Sequence, residues 1–581
     1  MANLVKAAWF EEFGPADEVL NANGGQPIVY AMPEETKQHA IADISSKLAA
    51  GESQHRKRAL FVLASLALSA CAASADSFAN GPEVDANEEL LVGEWDDNDQ
   101  SLAAFKGIPF AAPPVAELRW RAPRPHTPRS GKQQASEYAA ACMQGQHIVK
   151  WYADVAAYFG AGRGETGKPN GISEDCLYLN VWTPDLPDKD EEGALPVMVW
   201  FHGGSNKGGW SYEPNYIGAE LAKKGVVVVT TTYRLGPFGF FSHPALEGSQ
   251  PDEAIANFGL LDQISALEWV QANIAAFGGD TNNVTCFGES SGAGDLGSVF
   301  AADAGVCNRW IAQSPGGSFA ERGSLAEEQA RGEKIAAQMG IESNAESVQR
   351  LRSATAKEVL AAAAAALPGH YYDVVKDDRS VVATPLESLN QEQRSKIDFL
   401  IGTNRDEWYM YIAEDTDWQD VDRWVENAAP GKASVLKAQV ENETDPRRAL
   451  DRLRTARDTL CEARRVAARV TATGGRAWVY YFTRQRAGPG GEKVGAYHGT
   501  EIPYVFGTHD AWLPTEQIDQ RLTDAVMDYW VQFAQTGDPN VPGRPEWPLY
   551  RAEKPAVLEL GEKIQVVPPA DAALCIWLGP E

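Results

Sequence analysis

Val284-Thr285-Cys286-Phe287-Gly288-Glu289-Ser290-Ser291-Gly292-Ala293 runs from an apolar segment straight into a Gly-x-Ser-x-Gly pentapeptide. The need for the two glycines is steric. A nucleophile on a tight strand-to-helix turn has strained backbone angles, and neighbouring chain comes very close, so the residues two before and two after it must be small. The pentapeptide alone is a weak signal. Its context strengthens it: Val284 to Phe287 supplies the strand, and Ala293 onward can start a helix whose N-terminal dipole favours a developing oxyanion.

Further segments repeat the strand-then-helix pattern. Gly225-Val226-Val227-Val228-Val229-Thr230 and Pro196-Val197-Met198-Val199-Trp200-Phe201 are unalternated apolar runs, as strands buried on both faces require. A helical pattern such as Ala266-Leu267-Glu268-Trp269-Val270 lies between such runs. The alternation predicts an α/β fold: a central, mostly parallel sheet flanked by helices, with large insertions. Ala354 to Leu367 is alanine-rich and predicted helical, stopped by Pro368-Gly369, and Arg447 to Arg469 reads as a charged amphipathic helix. The spacing shows no repeat of 20 to 50 residues. Length permits several domains. The absence of a Gly/Ser linker after about residue 80 favours one large domain.

A serine hydroxyl needs a base, and the base an acid to orient it. Of nine histidines, His498 stands in Gly495-Ala496-Tyr497-His498-Gly499-Thr500-Glu501, whose small and polar neighbours suit an exposed loop. Asp406 and Glu407 both follow the apolar strand Phe399-Leu400-Ile401, at the strand end where α/β ligands gather. Phe201-His202-Gly203-Gly204-Ser205 lies just past another strand and can present backbone N–H groups to an oxyanion. The chain order is oxyanion loop, serine, acid, histidine, which is the α/β-hydrolase order and neither the chymotrypsin nor the subtilisin one.

Composition excludes other classes. The 581 residues are 44% hydrophobic and 23% charged, ample for a large core. A net charge of −28 repels nucleic acid and anionic membranes, so no nucleic-acid partner is expected. The sequence holds no run of the ~18 apolar residues that a membrane span needs. His55-Arg56-Lys57-Arg58, the apolar run Ala59 to Ala70, and Ala73-Ser74-Ala75 follow the order of a secretory signal, here at 56–75, which predicts a secreted or periplasmic protein. Leu68-Ser69-Ala70-Cys71 also resembles a lipoprotein box, which would make Cys71 a lipid anchor. Residues 1–55 precede this signal. Val5-Lys6-Ala7-Ala8-Trp9-Phe10 resembles the start of a medium-chain quinone oxidoreductase, and Ile28 to Gly51 the far end of that family. No dinucleotide fingerprint lies between them, so the extension is read as a remnant without function. The hydrolase domain is then 76–581. Seven cysteines are present, and loss of Cys71 leaves an even six, which an exported chain can pair. No Cys-x-x-Cys or His-Glu-x-x-His occurs, and neither metal nor organic cofactor is expected.

From about Phe105 to its end the chain resembles the type B carboxylesterase and cholinesterase family. The resemblance is carried by Phe105-Lys106-Gly107-Ile108-Pro109-Phe110-Ala111, Ser173-Glu174-Asp175-Cys176-Leu177-Tyr178-Leu179-Asn180, Tyr233-Arg234-Leu235-Gly236, Asn257-Phe258-Gly259-Leu260-Leu261-Asp262-Gln263 and the segment around Ser290. It implies a serine carboxylesterase acting through an acyl-enzyme, with Ser290 as nucleophile, His498 as base, Glu407 as acid, and the N–H groups of Gly204, Ser205 and Ser291 as the oxyanion hole. It also implies a Cys142–Cys176 disulfide, worth roughly 3 to 4 kcal/mol in the chain-entropy model. No such template fixes Cys286, Cys307, Cys461 or Cys575; Cys286, on the buried strand, is expected as a free core thiol. Ser205 replaces the family's usual third glycine, Asn206 its usual aromatic and Ser291 its usual alanine. Asn206 and Lys207 are expected to make the pocket mouth polar. Bacterial relatives that detoxify fumonisin-type mycotoxins remove tricarballylate esters, so Lys207 is a candidate contact for bulky polycarboxylate esters. Trp151 and Tyr152 lie between Cys142 and Cys176, but their spacing does not fit a choline-stacking site. The competing class is a catalytically silent adhesion protein of the same fold; such members lose a triad residue, and here all three positions are filled.

Overall fold

Among the described residues, eleven strands form one sheet: β1 (Glu94–Trp95), β2 (Ala103–Pro109), β3 (Tyr178–Thr183), β4 (Leu195–Phe201), β5 (Val227–Thr231), β6 (Gly279–Glu289), β7 (Arg309–Gln313), β8 (Asp398–Asn404), β9 (Arg476–Phe482), β10 (Val557–Leu560) and β11 (Ile564–Val567). Their spatial order is β11-β10-β9-β8-β7-β6-β4-β5-β3-β2-β1. The strands from β10 through β5 pair parallel with their neighbours, and the two edges are antiparallel. This computed structural model describes residues 81–578, apart from 97–99, 163–165, 187–194, 303–304, 320–322, 345 and 391–395. The extension over 1–55, the signal at 56–75 and Cys71 lie outside the described residues.

Nine helices, numbered in chain order, matter below: α1 (His147–Tyr158), α2 (Phe258–Asn273), α3 (Ser291–Ala302), α4 (Ala356–Ala366), α5 (Pro446–Thr455), α6 (Cys461–Ala472), α7 (Ile502–Phe506), α8 (Gln517–Thr536) and α9 (Ala572–Leu578). The unalternated strands are buried on both faces because each face has its own core. Val197, Val199 and Phe201 of β4 pack with α2, α3 and α6 through Leu267, Val299 and Val466. Met198 and Trp200 point to the opposite core, with Tyr529 and Trp530 of α8. Helix α4 is capped at Thr355, whose capping box with Glu358 satisfies the first free N–H groups, and the segment past it turns at Gly369, φ +73°. The helix expected over 447–469 is interrupted: a π-helical turn, Ala456–Leu460, separates α5 from α6.

Three disulfides are formed. Cys142 pairs with Cys176. Cys286 is not the free thiol expected from its buried strand; it pairs with Cys307. The reason lies in the sheet. Asn308 donates its N–H to Val284 O (2.8 Å) and accepts the Val284 N–H on its side chain (2.8 Å), which brings the residue before β7 alongside β6. The third bridge joins Cys461 to Cys575, 114 residues on, and fastens α9, of which only Leu574 is buried. In the chain-entropy model its loss costs about 4 to 5 kcal/mol, against about 3 kcal/mol for the shorter Cys286–Cys307 loop. Paired Cys→Ala variants compared by chemical denaturation test this ordering, and equal losses would reject loop entropy as the cause.

Candidate active site

Strand β6 ends at Glu289, helix α3 starts at Ser291, and Ser290 between them has φ +55°. That left-handed backbone is costly for a residue with a Cβ and persists only where its surroundings enforce it. Here the Ser290 N–H donates to Gln313 O at the end of β7 (2.9 Å), and Ser290 O accepts the Gly294 N–H (3.0 Å). The demand for small flanking residues is met by the end of β4. A Cβ on Gly288 would lie 2.8 Å from Phe201 O, and one on Gly292 would lie 2.2 Å from the same oxygen and 2.6 Å from His202 O.

The loop after β4 is folded against this elbow. A Cβ on Gly203 would lie 2.9 Å from both Ser290 Cβ and Glu289 Oε2. Gly204, Ser205 and Asn206 all have positive φ, and the Asn206 N–H donates to Ser291 Oγ (3.2 Å). Among the described residues, the N–H groups of Gly204 and Ser205 donate to no protein acceptor. Ser291, first residue of α3, presents an N–H that the helix cannot satisfy. Asn206 does not line a polar mouth as expected from sequence. It is buried, donating to Asp295 Oδ1 (3.0 Å) and accepting from Tyr233 Oη (3.1 Å), so it braces the loop from behind.

Glu407 reaches His498. Its Oε2 lies 2.5 Å from His498 Nδ1, while Oε1 accepts from Ser314 Oγ (2.6 Å), Thr403 Oγ1 (2.6 Å) and the Asn404 N–H (2.7 Å). Burial would raise this carboxyl, but the His498 charge and these hydrogen bonds outweigh it and hold Glu407 below the usual range. Asp406 faces elsewhere. It pairs with Arg405 (2.8 Å) and Arg448 (2.6 Å) and accepts the Ala496 N–H (2.7 Å), two residues before His498. Asp406 therefore holds the histidine loop and Glu407 the imidazole.

The other imidazole nitrogen meets a residue that the sequence reading passed over. His498 Nε2 lies 3.1 Å from Glu289 Oε1. That oxygen accepts no aligned hydrogen bond, so the approach is an ion pair at close range and not a linear bond. Burial opposes the imidazolium, but the carboxylates of Glu289 and then Glu407 push His498 well above the usual imidazole range. Burial raises Glu289, against the pull of the His498 charge. Ser290 Oγ makes no hydrogen bond to His498 here; such contacts tighten in the substrate complex. A charged residue beside Ser290, inside a buried strand end, was the available signal for Glu289. Ser314 and Thr403 carried none, because only the sheet brings them to Glu407.

Lys207 follows the loop, with Nζ 4.4 Å above the Tyr371 ring and no carboxylate within 4.0 Å among the described residues. The Tyr372 N–H donates to Ser205 O (3.3 Å), which seats Tyr371, 61% exposed, beside the loop after β4. Across the site Trp151 of α1 donates to Tyr411 Oη (2.8 Å), and a Cβ on Gly499 would lie 4.0 Å from Trp151 and 3.7 Å from Glu289 Oε1.

Comparison with known proteins agrees with this architecture. Residues 82–573 match the model of the carboxylesterase family. The chain is 32% identical over 479 residues to the para-nitrobenzyl esterase of Bacillus subtilis (strain 168), covering 80% of this chain and 92% of that protein. It is also 32% identical over 482 residues to the fumonisin B1 esterase of Sphingopyxis macrogoltabida, covering 77% and 82%. A solved carboxylesterase of Geobacillus stearothermophilus superposes with a TM-score of 0.73 at 30% identity, over 85% of this chain and 99% of that one. The α/β-hydrolase sheet, the strained serine turn and the match over most of the sequence have one reading: the chain belongs to the carboxylesterase family.

Proposed function

We infer that this carboxylic-ester hydrolase works through Ser290, His498 and Glu407, with the N–H groups of Gly204, Ser205 and Ser291 as oxyanion donors. The observation that carries the reading is the Glu407–His498 pair at 2.5 Å, presented beside a serine held at φ +55° on the elbow. Ser290 Oγ attacks the ester carbonyl carbon as His498 takes its proton, and the tetrahedral oxyanion forms against the three amides. The C–O bond to the alcohol then breaks, with the proton passing from His498 to the leaving oxygen. Water, deprotonated by His498, attacks the acyl-enzyme and releases acid and free serine. Glu407 holds the imidazole and offsets its positive charge throughout. Burst kinetics with a p-nitrophenyl ester test the covalent step: one equivalent of p-nitrophenol released per site supports it, and a strictly linear onset with every ester tried counts against an accumulating acyl-enzyme.

The acyl group is a bulky polycarboxylate, such as a tricarballylate ester. Support comes from Lys207, a half-buried cation without a carboxylate partner beside the oxyanion loop, in a chain of net charge −28, and from similarity to an esterase named for fumonisin B1. Burial also pulls the Lys207 ammonium down in pKa, which a bound carboxylate would reverse. Lys207→Ala is expected to raise KM for a tricarballylate ester roughly 3- to 10-fold while leaving a neutral p-nitrophenyl ester unchanged. Equal effects on both esters would remove Lys207 from acyl recognition. Export through the segment at 56–75 fits the three disulfides, and N-terminal sequencing of the mature protein tests that boundary.

A further inference from the structure

Glu501 plays no part in the mechanism above, yet it is buried three residues beyond His498, at the start of α7. Its two oxygens have separate partners. Oε1 accepts from Gln313 Nε2 (3.0 Å), and Oε2 accepts from Asn404 Nδ2 (2.6 Å). Both partners are the last residues of strands, β7 and β8. Gln313 accepts the Ser290 N–H on its own carbonyl (2.9 Å). Asn404 donates its N–H to Glu407 Oε1 (2.7 Å), and its side chain also donates to Tyr497 O (3.0 Å), the carbonyl just before His498. One carboxylate thus ties the segment that carries His498 to the ends of β7 and β8, which in turn hold the Ser290 N–H and Glu407.

The polarity of this network is forced. Trp530 Nε1 can only donate, and it donates to Gln313 Oε1 (3.0 Å), so the Gln313 amide must turn its NH2 to Glu501. Asn404 faces two acceptors, Tyr497 O and Glu501, so its NH2 must lie on that side. Two donors converge on Glu501 and favour its ionised form, while burial and the neighbouring Glu407 charge push its pKa up. Buried amides of fixed orientation are the setting in which one group holds several elements in place.

We propose that Glu501 is a positioning residue: by accepting from Gln313 and Asn404 at once, it locks the His498 loop to the ends of β7 and β8, whose backbone holds Ser290 and Glu407 in turn, and when ionised it adds negative charge behind the imidazolium. The proposal rests on the assignment of Ser290, His498 and Glu407 as the triad. The charged groups facing His498 are Glu289 from the end of β6, Glu407 from beyond β8, and Glu501 itself. Tyr480 of β9 and Tyr497 also neighbour Glu501, and burial keeps both phenols neutral.

Glu501→Gln keeps the shape, but its amide can accept from only one of the two NH2 groups and must set an N–H against the other. Misplacement of a catalytic group by about an ångström costs up to about 10²-fold, so kcat is expected to fall about 10- to 100-fold with KM within about twofold of the parent. Removing a negative charge near the imidazolium lowers the His498 pKa, so the acid limb of the kcat/KM profile moves down by roughly half to one pH unit. Glu501→Asp keeps the charge and should leave that limb in place while kcat falls. A Glu501→Gln enzyme with parental kcat, or with an unmoved acid limb, overturns the proposal. Should that variant not fold, Gln313→Met removes one strut and leaves the charge: a drop in kcat of about fivefold or more at constant KM is expected, and parental kcat overturns the proposal. Ser290→Ala, run alongside, separates the two levels. If it stays active the triad assignment itself fails; if it is inactive and the Glu501 and Gln313 variants are parental, only the role of Glu501 fails.

Discussion

Ser290→Ala is expected to lower kcat by about 10⁶-fold and leave KM nearly unchanged, a loss of the size seen when a triad serine is removed elsewhere. The substitution deletes only Oγ. The Ser290 N–H still donates to Gln313 O, and the loop that presents Gly204 and Ser205 still packs on the elbow. The variant should therefore bind ester and polarise its carbonyl, retaining the roughly 10³- to 10⁴-fold advantage over water that an oxyanion hole gives without a nucleophile. Ser291 offers no rescue, because its hydroxyl accepts the Asn206 N–H (3.2 Å) and braces the oxyanion loop. Ser290→Gly separates chemistry from stability. It should be equally inactive yet more stable than Ser290→Ala by about 1 kcal/mol, since glycine adopts φ +55° without cost. Steady-state kinetics and chemical denaturation of the two variants check both halves. More than about 1% of parental kcat in Ser290→Ala would exclude this serine as nucleophile.

What could be read before any coordinates follows from how local each constraint is. The elbow was legible because its requirements are contiguous: a nucleophile, two residues that must lack bulk, a strand before and a helix after. The structure supplies the neighbours responsible, Phe201 O and His202 O. The doubly buried strands were legible for a similar reason, since a strand with a core on each face cannot alternate. Which carboxylate meets His498 was not separable by residue pattern, because Asp406 and Glu407 are adjacent. What divides them is Arg448, 42 residues away on α5, which claims Asp406. Cys286 was misread because its partner depends on the register of β7 against β6. Asn206 was misread because a loop after a strand can turn a side chain inward as easily as out. The deeper supports could not be read at all: Ser314, Thr403 and Gln313 acquire meaning only when the parallel register sets the ends of β7 and β8 side by side.

Glu407→Gln is expected to lower kcat by about 10⁴-fold, and the cause would be a tautomer and not a lost contact. In the parent, Oε1 of Glu407 accepts three donors, from Ser314, Thr403 and Asn404, and Oε2 accepts from His498 Nδ1. An amide in this place has one oxygen. The three donors fix it on the Oε1 side, so the NH2 faces His498 and can only donate to Nδ1. The imidazole must then carry its proton on Nε2, the nitrogen that should receive the proton of Ser290. The variant would be well folded, would bind ester with parental KM, and would hold its base in a form unable to act as one. The pH profile tests this more sharply than the rate. Glu407 and Glu289 together raise the His498 pKa against the effect of burial, so the parent should lose activity as pH falls through a value above the ordinary imidazole range. Removal of the Glu407 charge moves that limb to lower pH, because the imidazolium loses an ion pair while neutral imidazole loses only a hydrogen bond. The surviving shift, due to Glu289, keeps the limb from falling the whole way that burial alone would take it. A loss below about 100-fold, or an acid limb that stays where it was, would mean that the carboxylate steering His498 is another one; Glu289, 3.1 Å from Nε2, would then be the residue to change next.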